Sequence, residues 1–95
     1  MKVKFEIFKK VIMGKTIEIE LNDEQQEYIA INEEKRIDEL TANDVHHHYL
    51  EGGDDKWLNE NLLNPEGWTE DDKDDWDGCV SEIIHDNGTK SEFKS

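Results

Sequence analysis

The sequence predicts an α+β domain: a small antiparallel sheet, built from an N-terminal hairpin and one C-terminal strand, with two or three short helices on one face. Three observations carry this. Apolar residues alternate with polar ones on both sides of Gly14, two helix-capping sequences follow at Asn22 and Thr41, and a β-branched run from Cys79 to His85 precedes a turn. Runs of strand signal around a helical middle give a mixed domain in which helices cover one sheet face.

Val3, Phe5 and Ile7 alternate with Lys4 and Glu6, and Ile17, Ile19 and Leu21 alternate with Glu18, Glu20 and Asn22. Period-two alternation gives each strand one apolar face, so two strands are expected at about 2–12 and 15–22. Gly14 is expected to supply the positive φ of a tight hairpin turn. A lone hairpin is unstable in water, and the chain turns to helix at once. Asn22 with Gln25 fits a capping box, and Asp23 and Glu24 fall in the first turn, where negative charge suits the helix dipole. Tyr28, Ile29, Ile37 and Leu40 recur at near-helical intervals, interrupted at Asn32 to Arg36. Strand propensity at Tyr28, Ile29 and Ile31 offers a strand over 27–32 as the rival reading, and helix is preferred.

Thr41 with Asp44 forms a second cap, leading into Val45, Tyr49 and Leu50 before Gly52-Gly53. Asp54 and Asp55 then cap a short helix carrying Trp57, Leu58, Leu62 and Leu63, which Asn64-Pro65-Glu66-Gly67 ends. Thr69 to Asp77 reads as one or two helical turns or a solvated loop. Residues 79–85 read as a third strand closed by Asp86-Asn87-Gly88. The expected organisation is one domain over 1–88 with a frayed polar tail over 89–95.

The totals bound the class. Ninety-five residues make one domain with a modest core. Mean hydropathy is −0.96 and 38% of residues are charged, which invites a disordered reading. Leu, Ile, Val and Phe nevertheless number 22, or 23%, above the roughly 20% below which disorder is expected. With a single cysteine, Cys79, no intramolecular disulfide forms. The N-terminus lacks an apolar signal run, and no stretch approaches a membrane span. A cytoplasmic location and no membrane partner are expected.

No catalytic or cofactor motif passes a spacing check. His46, His47 and His48 invite a metal, but consecutive helical side chains diverge by about 100°, so three exposed helix residues and no metal site are expected. With Gly78 as the sixth position of a calcium loop, the first falls on Lys73 and the twelfth on Ile84, where Asp and Glu are needed. Carboxylate pairs are too abundant to single one out, and Cys79 with His85 is weighed as nucleophile and base only to be set below a small buried thiol. A non-enzyme without cofactors is expected.

Charge is the informative feature. Residues 1–20 carry five Lys and three Glu, whereas residues 21–95 carry six basic and 22 acidic groups, so +2 and −16 make the total of −14. Such a field draws cationic partners and repels nucleic acid and anionic membranes. Residues 51–77 alone hold eleven acids, two Lys and all three Trp. Trp is a favoured interface anchor, and neighbouring acids steer a basic partner. The candidate partner-binding residues are Glu70, Asp71, Asp72, Asp74, Asp75 and Asp77, with Trp68 and Trp76 as anchors and Glu51, Asp54 and Asp55 as a second cluster. Were 69–77 helical, its net −5 would lie along about 13 Å. That is about one charge per 2.7 Å, against roughly one per 3.4 Å along a DNA strand.

In size, acidity and the hairpin-plus-helix plan of Lys2–Leu21 leading into Asp23–Leu40, the chain resembles the small acidic proteins with which bacteriophages disable host defences. DNA mimics and anti-CRISPR proteins are among them. The resemblance implies a viral inhibitor acting in a host cytoplasm, one that occupies the basic groove of a nucleic-acid-binding protein, such as a CRISPR effector complex, and blocks DNA or RNA. It transfers no site residues. The alternative is a phage or plasmid accessory module that binds another protein or self-associates through a strand edge, against which Lys9 and Lys10 weigh.

Overall fold

A computed structural model describes residues 1–9, 14–52, 55–63, 65 and 76–94. Its core is a four-stranded antiparallel sheet of order β2-β1-β3-β4, with β1 at Lys2–Lys9, β2 at Gly14–Glu20, β3 at Trp76–Ile84 and β4 at Lys90–Glu92. Pairing places Val3 opposite Ile19 and Ile83, and Phe5 opposite Ile17 and Val80. Directly opposed residues share a face, so the apolar half of each strand meets in one layer. The other face carries Lys4 between Glu18 and Glu82, with its Nζ 3.1 Å from Glu82.

Among the described residues three helices cover the apolar face: α1 at Asp23–Glu33, α2 at Ala42–His46 and α3 at Asp55–Leu58. A 3₁₀ turn at Ile37–Glu39 precedes α2, while π-helical turns at His47–Glu51 and Asn59–Leu63 prolong α2 and α3. Both predicted capping boxes form. The Gln25 amide donates to Asn22 Oδ1 at 2.8 Å and the Asn22 amide to Gln25 Oε1 at 3.0 Å. The Thr41 and Asp44 amides and side chains reciprocate in the same way. Each box satisfies donors that a helix start leaves bare. Val3, Phe5, Ile7, Val80 and Ile83 from the sheet meet Leu21, Ile29, Leu40, Val45, Tyr49, Leu58 and Leu62, all buried. Among the described residues no helix is long and apolar enough to cross a membrane.

The α+β class, the N-terminal hairpin, a helix starting at Asp23 and the C-terminal strand agree with the sequence, but that helix stops at Glu33, where Glu34 turns left-handed, instead of running on to Leu40, and Ile37–Glu39 is a separate 3₁₀ turn. Five further details differ. Gly14 does not adopt positive φ; it lies in β2 opposite Phe8, where a Cβ would approach the ring to 2.9 Å, so its smallness accommodates an aromatic neighbour. Of the predicted turn, 10–13 lies outside the described residues. The strand predicted at 79–85 begins earlier, at Trp76, which removes Trp76 and Asp77 from any helix over 69–77. Between Lys4 and Phe5 the register shifts by a bulge at Ser81, whose hydroxyl donates to Lys4 O and whose carbonyl accepts from the Phe93 amide.

The polar tail is the fourth difference. Residues 90–92 form β4, Ser91 Oγ accepts from the Ala42 amide at 3.1 Å, and Phe93 packs beside His46 with centroids 4.7 Å apart. Gly88, at φ 89°, makes the return possible, its amide bonding His85 O. The fifth concerns α1. Tyr28, expected beside Ile29 in the buried stripe, is 60% exposed, and the buried face is Gln26, Ile29 and Ala30.

Candidate protein-interaction surface

Helix α1 buries Gln26, which is only 4% exposed, because its Nε2 donates to Leu21 O at 3.0 Å and so satisfies the amide inside the core. With Gln26, Ile29 and Ala30 inward, residues 24, 27, 28 and 31 fall on the outward face by the 3.6-residue period. That face presents Glu24, Glu27, Tyr28 and Ile31, the last 74% exposed. Two large apolar side chains thus stand in solvent between carboxylates. Exposed apolar groups rimmed by charge mark contact surfaces more often than scattered ones do.

A cleft flanks α1 on each side. The larger, about 640 Å³, is lined by Gln26, Ala30, Ile31, Ile37, His85 and Asp86, among others. His85 is held there by its Nε2–H, which donates to Leu40 O at 2.9 Å. Asp86 pairs with the Met1 ammonium, whose hydrogen bond and charge hold its carboxyl below the usual range. The smaller, about 330 Å³, is lined by Glu24, Gln25, Tyr28, His48, Tyr49 and Trp57.

The three histidines diverge as helical spacing requires. Nδ1 of His46 accepts from the Val80 amide at 3.3 Å, His47 reaches Glu33 at 2.9 Å, and His48 turns to Tyr28 with centroids 5.3 Å apart. Only His47 is exposed; His46 and His48 are partly buried, contrary to the expectation of three exposed rings, because β3 and α1 pack against them. Among the described residues no three His, Cys, Asp or Glu side chains are grouped to hold a metal ion. The Glu33 hydrogen bond and charge raise the His47 pKa above its ordinary value.

Cys79 and His85 do not meet. They lie six residues apart, Cys79 within β3 and His85 just past its end, about 20 Å at the usual rise. Cys79 sits opposite Glu6 on the open sheet face, while His85 is buried beneath Leu40. Burial, then Glu6 and Asp77, push the Cys79 thiol up, away from the nucleophilic thiolate.

Of the residues picked from sequence, Trp68, Glu70, Asp71, Asp72, Asp74, Asp75 and Asp54 lie outside the described residues. Glu51 is exposed at the end of the π-helical turn, Asp55 opens α3, and Trp76 and Asp77 open β3. The exposed Asp77 accepts the Gly78 amide through Oδ1 at 2.8 Å. The outward face of α1 was not among those choices. Its signal is the i, i+3, i+4, i+7 spacing of Glu24, Glu27, Tyr28 and Ile31, which a stripe that places Tyr28 with Ile29 in the core hides.

No protein-family model, curated protein or solved structure matches the chain.

Proposed function

We propose that this protein is a non-enzymatic, stoichiometric inhibitor that binds a basic groove of a nucleic-acid-binding protein and excludes DNA or RNA by acidic mimicry. CRISPR effector complexes are one target class with such a groove, and a phage-encoded origin acting in a host cytoplasm belongs to the same reading. The observation that carries it is the one-sided charge, +2 over residues 1–20 and −16 beyond. The described helical layer supports it further: eight exposed carboxylates between Asp23 and Glu60 are set against three cations. Arg36 is already engaged by Asp38 and Glu39, and Lys35 by Asp44. The field therefore remains strongly negative where Tyr28 and Ile31 offer apolar contact. Carboxylates would supply steering and register, and the apolar pair the desolvated centre. Asp71, Asp72, Asp74 and Asp75, with Trp68 and Trp76, remain the proposed phosphate-mimicking segment.

The experiment is affinity capture from nuclease-treated bacterial lysate at low and high salt, with mass spectrometric identification. Recovery of a nucleic-acid-binding complex that is lost at high salt, and lost when Asp71, Asp72, Asp74 and Asp75 are all changed to Asn, is expected. Capture unaffected by that quadruple change refutes mimicry by this segment. A second reading, self-association, is favoured by β2, seven residues long at one edge of the sheet. A defined oligomer by light scattering without any partner would support it.

A further inference from the structure

The smaller cleft has a chemistry of its own. Its walls are rings: Tyr28 stands edge-on to His48 with centroids 5.3 Å apart, His48 edge-on to Tyr49 at 4.7 Å, and Tyr49 stacks on Trp57 at 4.1 Å. Successive planes meet at 81°, 83° and 20°, so the rings enclose a corner instead of forming one flat stack. Aromatic faces carry negative potential. Glu24 adds a carboxylate to the lining, and among the described residues no Lys or Arg contributes to it. Asp23 and Glu27, both exposed, lie on the same helix.

The corner is fixed by its surroundings. Tyr49 and Trp57 both pack on Phe5 in the core, and Asn32 Nδ2 donates to His48 Nδ1 at 3.3 Å, which leaves the proton of the neutral ring on Nε2. A cleft of about 330 Å³ lies at the small end of ligand pockets. Its size suits the end of a side chain better than a whole cofactor.

We infer that this cleft is a receptor for an arginine side chain of a basic partner protein, with the guanidinium laid against the Tyr28, His48 and Trp57 rings and paired with Glu24. Charge complementarity selects a cation. The planar rings and the carboxylate select guanidinium over ammonium, because a guanidinium both stacks and presents a fork that matches a carboxylate. The inference rests on the reading of a basic partner and names one place where that partner docks.

The test uses the whole chain and three short peptides, glycine-flanked and otherwise identical, carrying arginine, lysine or citrulline, the neutral isostere of arginine. Binding is followed by heteronuclear NMR. The arginine peptide is expected to shift the Trp57 indole and the amides of residues 24–28 and 48–49 along a saturating curve. The lysine peptide should bind several-fold more weakly, and citrulline should produce no saturable shift. Glu24→Gln and Tyr28→Ala should each weaken arginine binding about tenfold. Both side chains are exposed, so the dispersion of the remaining spectrum checks that the fold is retained.

Glu39→Gln, on the separate 3₁₀ turn, should change nothing. Shifts spread over all acidic positions without saturation, or an equal loss in Glu24→Gln and Glu39→Gln, would overturn the inference, since diffuse electrostatics would then suffice. Repeating the lysate capture with Tyr28→Ala separates the two claims. Saturable arginine binding in the cleft with no nucleic-acid-binding protein captured sinks the proposed function and keeps the receptor. A partner captured equally by wild type and Tyr28→Ala keeps the function and overturns the cleft as its docking point.

Discussion

Asp44 sits where α1, its following loop and α2 are tied together, and replacing it by Asn tests that tie. Its Oδ2 accepts from the Thr41 amide at 2.8 Å and the Thr41 hydroxyl at 3.0 Å, while Lys35 Nζ lies 3.0 and 2.9 Å from its two oxygens. The side chain is only 12% exposed. Burial is the largest single influence on its carboxyl and acts upward. The Lys35 hydrogen bond, the two Thr41 hydrogen bonds and the Lys35 charge together outweigh it and hold the pKa below its ordinary value. Asn has one acceptor oxygen, so either Thr41 or Lys35 must face an NH₂ group. Loss of a helix cap costs about 1 kcal/mol. Loss of a partly exposed ion pair adds about 0.2–1 kcal/mol, and a donor left facing a donor adds to both. We expect Asp44→Asn to destabilise by about 2 kcal/mol, out of roughly 5–14 kcal/mol for a domain of this length. The melting temperature should fall by about 8–16 °C.

The pH dependence makes the prediction specific. A carboxyl whose folded pKa is depressed contributes stability above its unfolded value, about 3.9. That contribution is lost as the pH falls through the lower folded value. The gap between wild type and Asp44→Asn, read from urea titrations by circular dichroism, should be full at pH 7 and close progressively below about pH 4. A gap under about 0.5 kcal/mol at pH 7, or one that stays constant as far into acid as a folded baseline persists, would refute the assigned network.

Phe5 is fully buried on β1, one of the two inner strands, 6.0 Å from the Tyr49 ring and 5.6 Å from Trp57. Phe5→Ala should therefore cost about 3–5 kcal/mol in urea unfolding, and a loss below 1 kcal/mol would mean that the helical layer is not seated on it. Deleting residues 90–95 removes β4, the Ser91 acceptor of the Ala42 amide and the Asn43–Lys94 contacts. A loss of at least about 2 kcal/mol is expected from these hydrogen bonds, most of them exposed, and a partly buried Phe93, whereas an unchanged urea midpoint would restore the frayed tail. His47 should titrate by NMR above its ordinary value and return toward it in Glu33→Gln. Because the folded pKa is raised, the stabilisation is present below the ordinary value and is lost as the pH rises through the raised one. Identical His47 midpoints in the two proteins would remove the Glu33 contact.

What could be read from the residues divides along physical lines. The hairpin was legible because period two is short: three alternations in β1 and three in β2 fix which face is buried before any partner is known. Both helix starts were legible because a capping box is a local interaction complete within four residues, as Asn22–Gln25 and Thr41–Asp44 are. The end of α1 was not. Glu34 takes the left-handed conformation at φ 55°, with its amide bonded to Ile31 O, a position usually held by Gly or Asn. β4 was illegible for another reason. Its three polar residues carry little strand signal, and beyond its hairpin pairing with Glu82, Ile83 and Ile84 it is held by non-local bonds to α2.

The most informative failure is at α1, where two misreadings are one. Counting Tyr28 as core assumes that the largest apolar side chains face inward. The helix instead buries an amide at Gln26 and leaves Tyr28 and Ile31 in water. Burying either ring or branched chain would stabilise by about 1.5–3 kcal/mol, so the arrangement runs against local stability. Departures of that kind concentrate at surfaces that serve something other than folding. Here Tyr28 and Ile31 both fall on the outward helix face, between two clefts, in the acidic part of the chain. The acid run at 69–77 rests on charge density, which any soluble acidic protein shares, and on the neighbouring Trp68 and Trp76. The α1 face combines charge with two large apolar side chains left in solvent, and the proposed partner contact would account for both together, whereas solubility would account only for the charge.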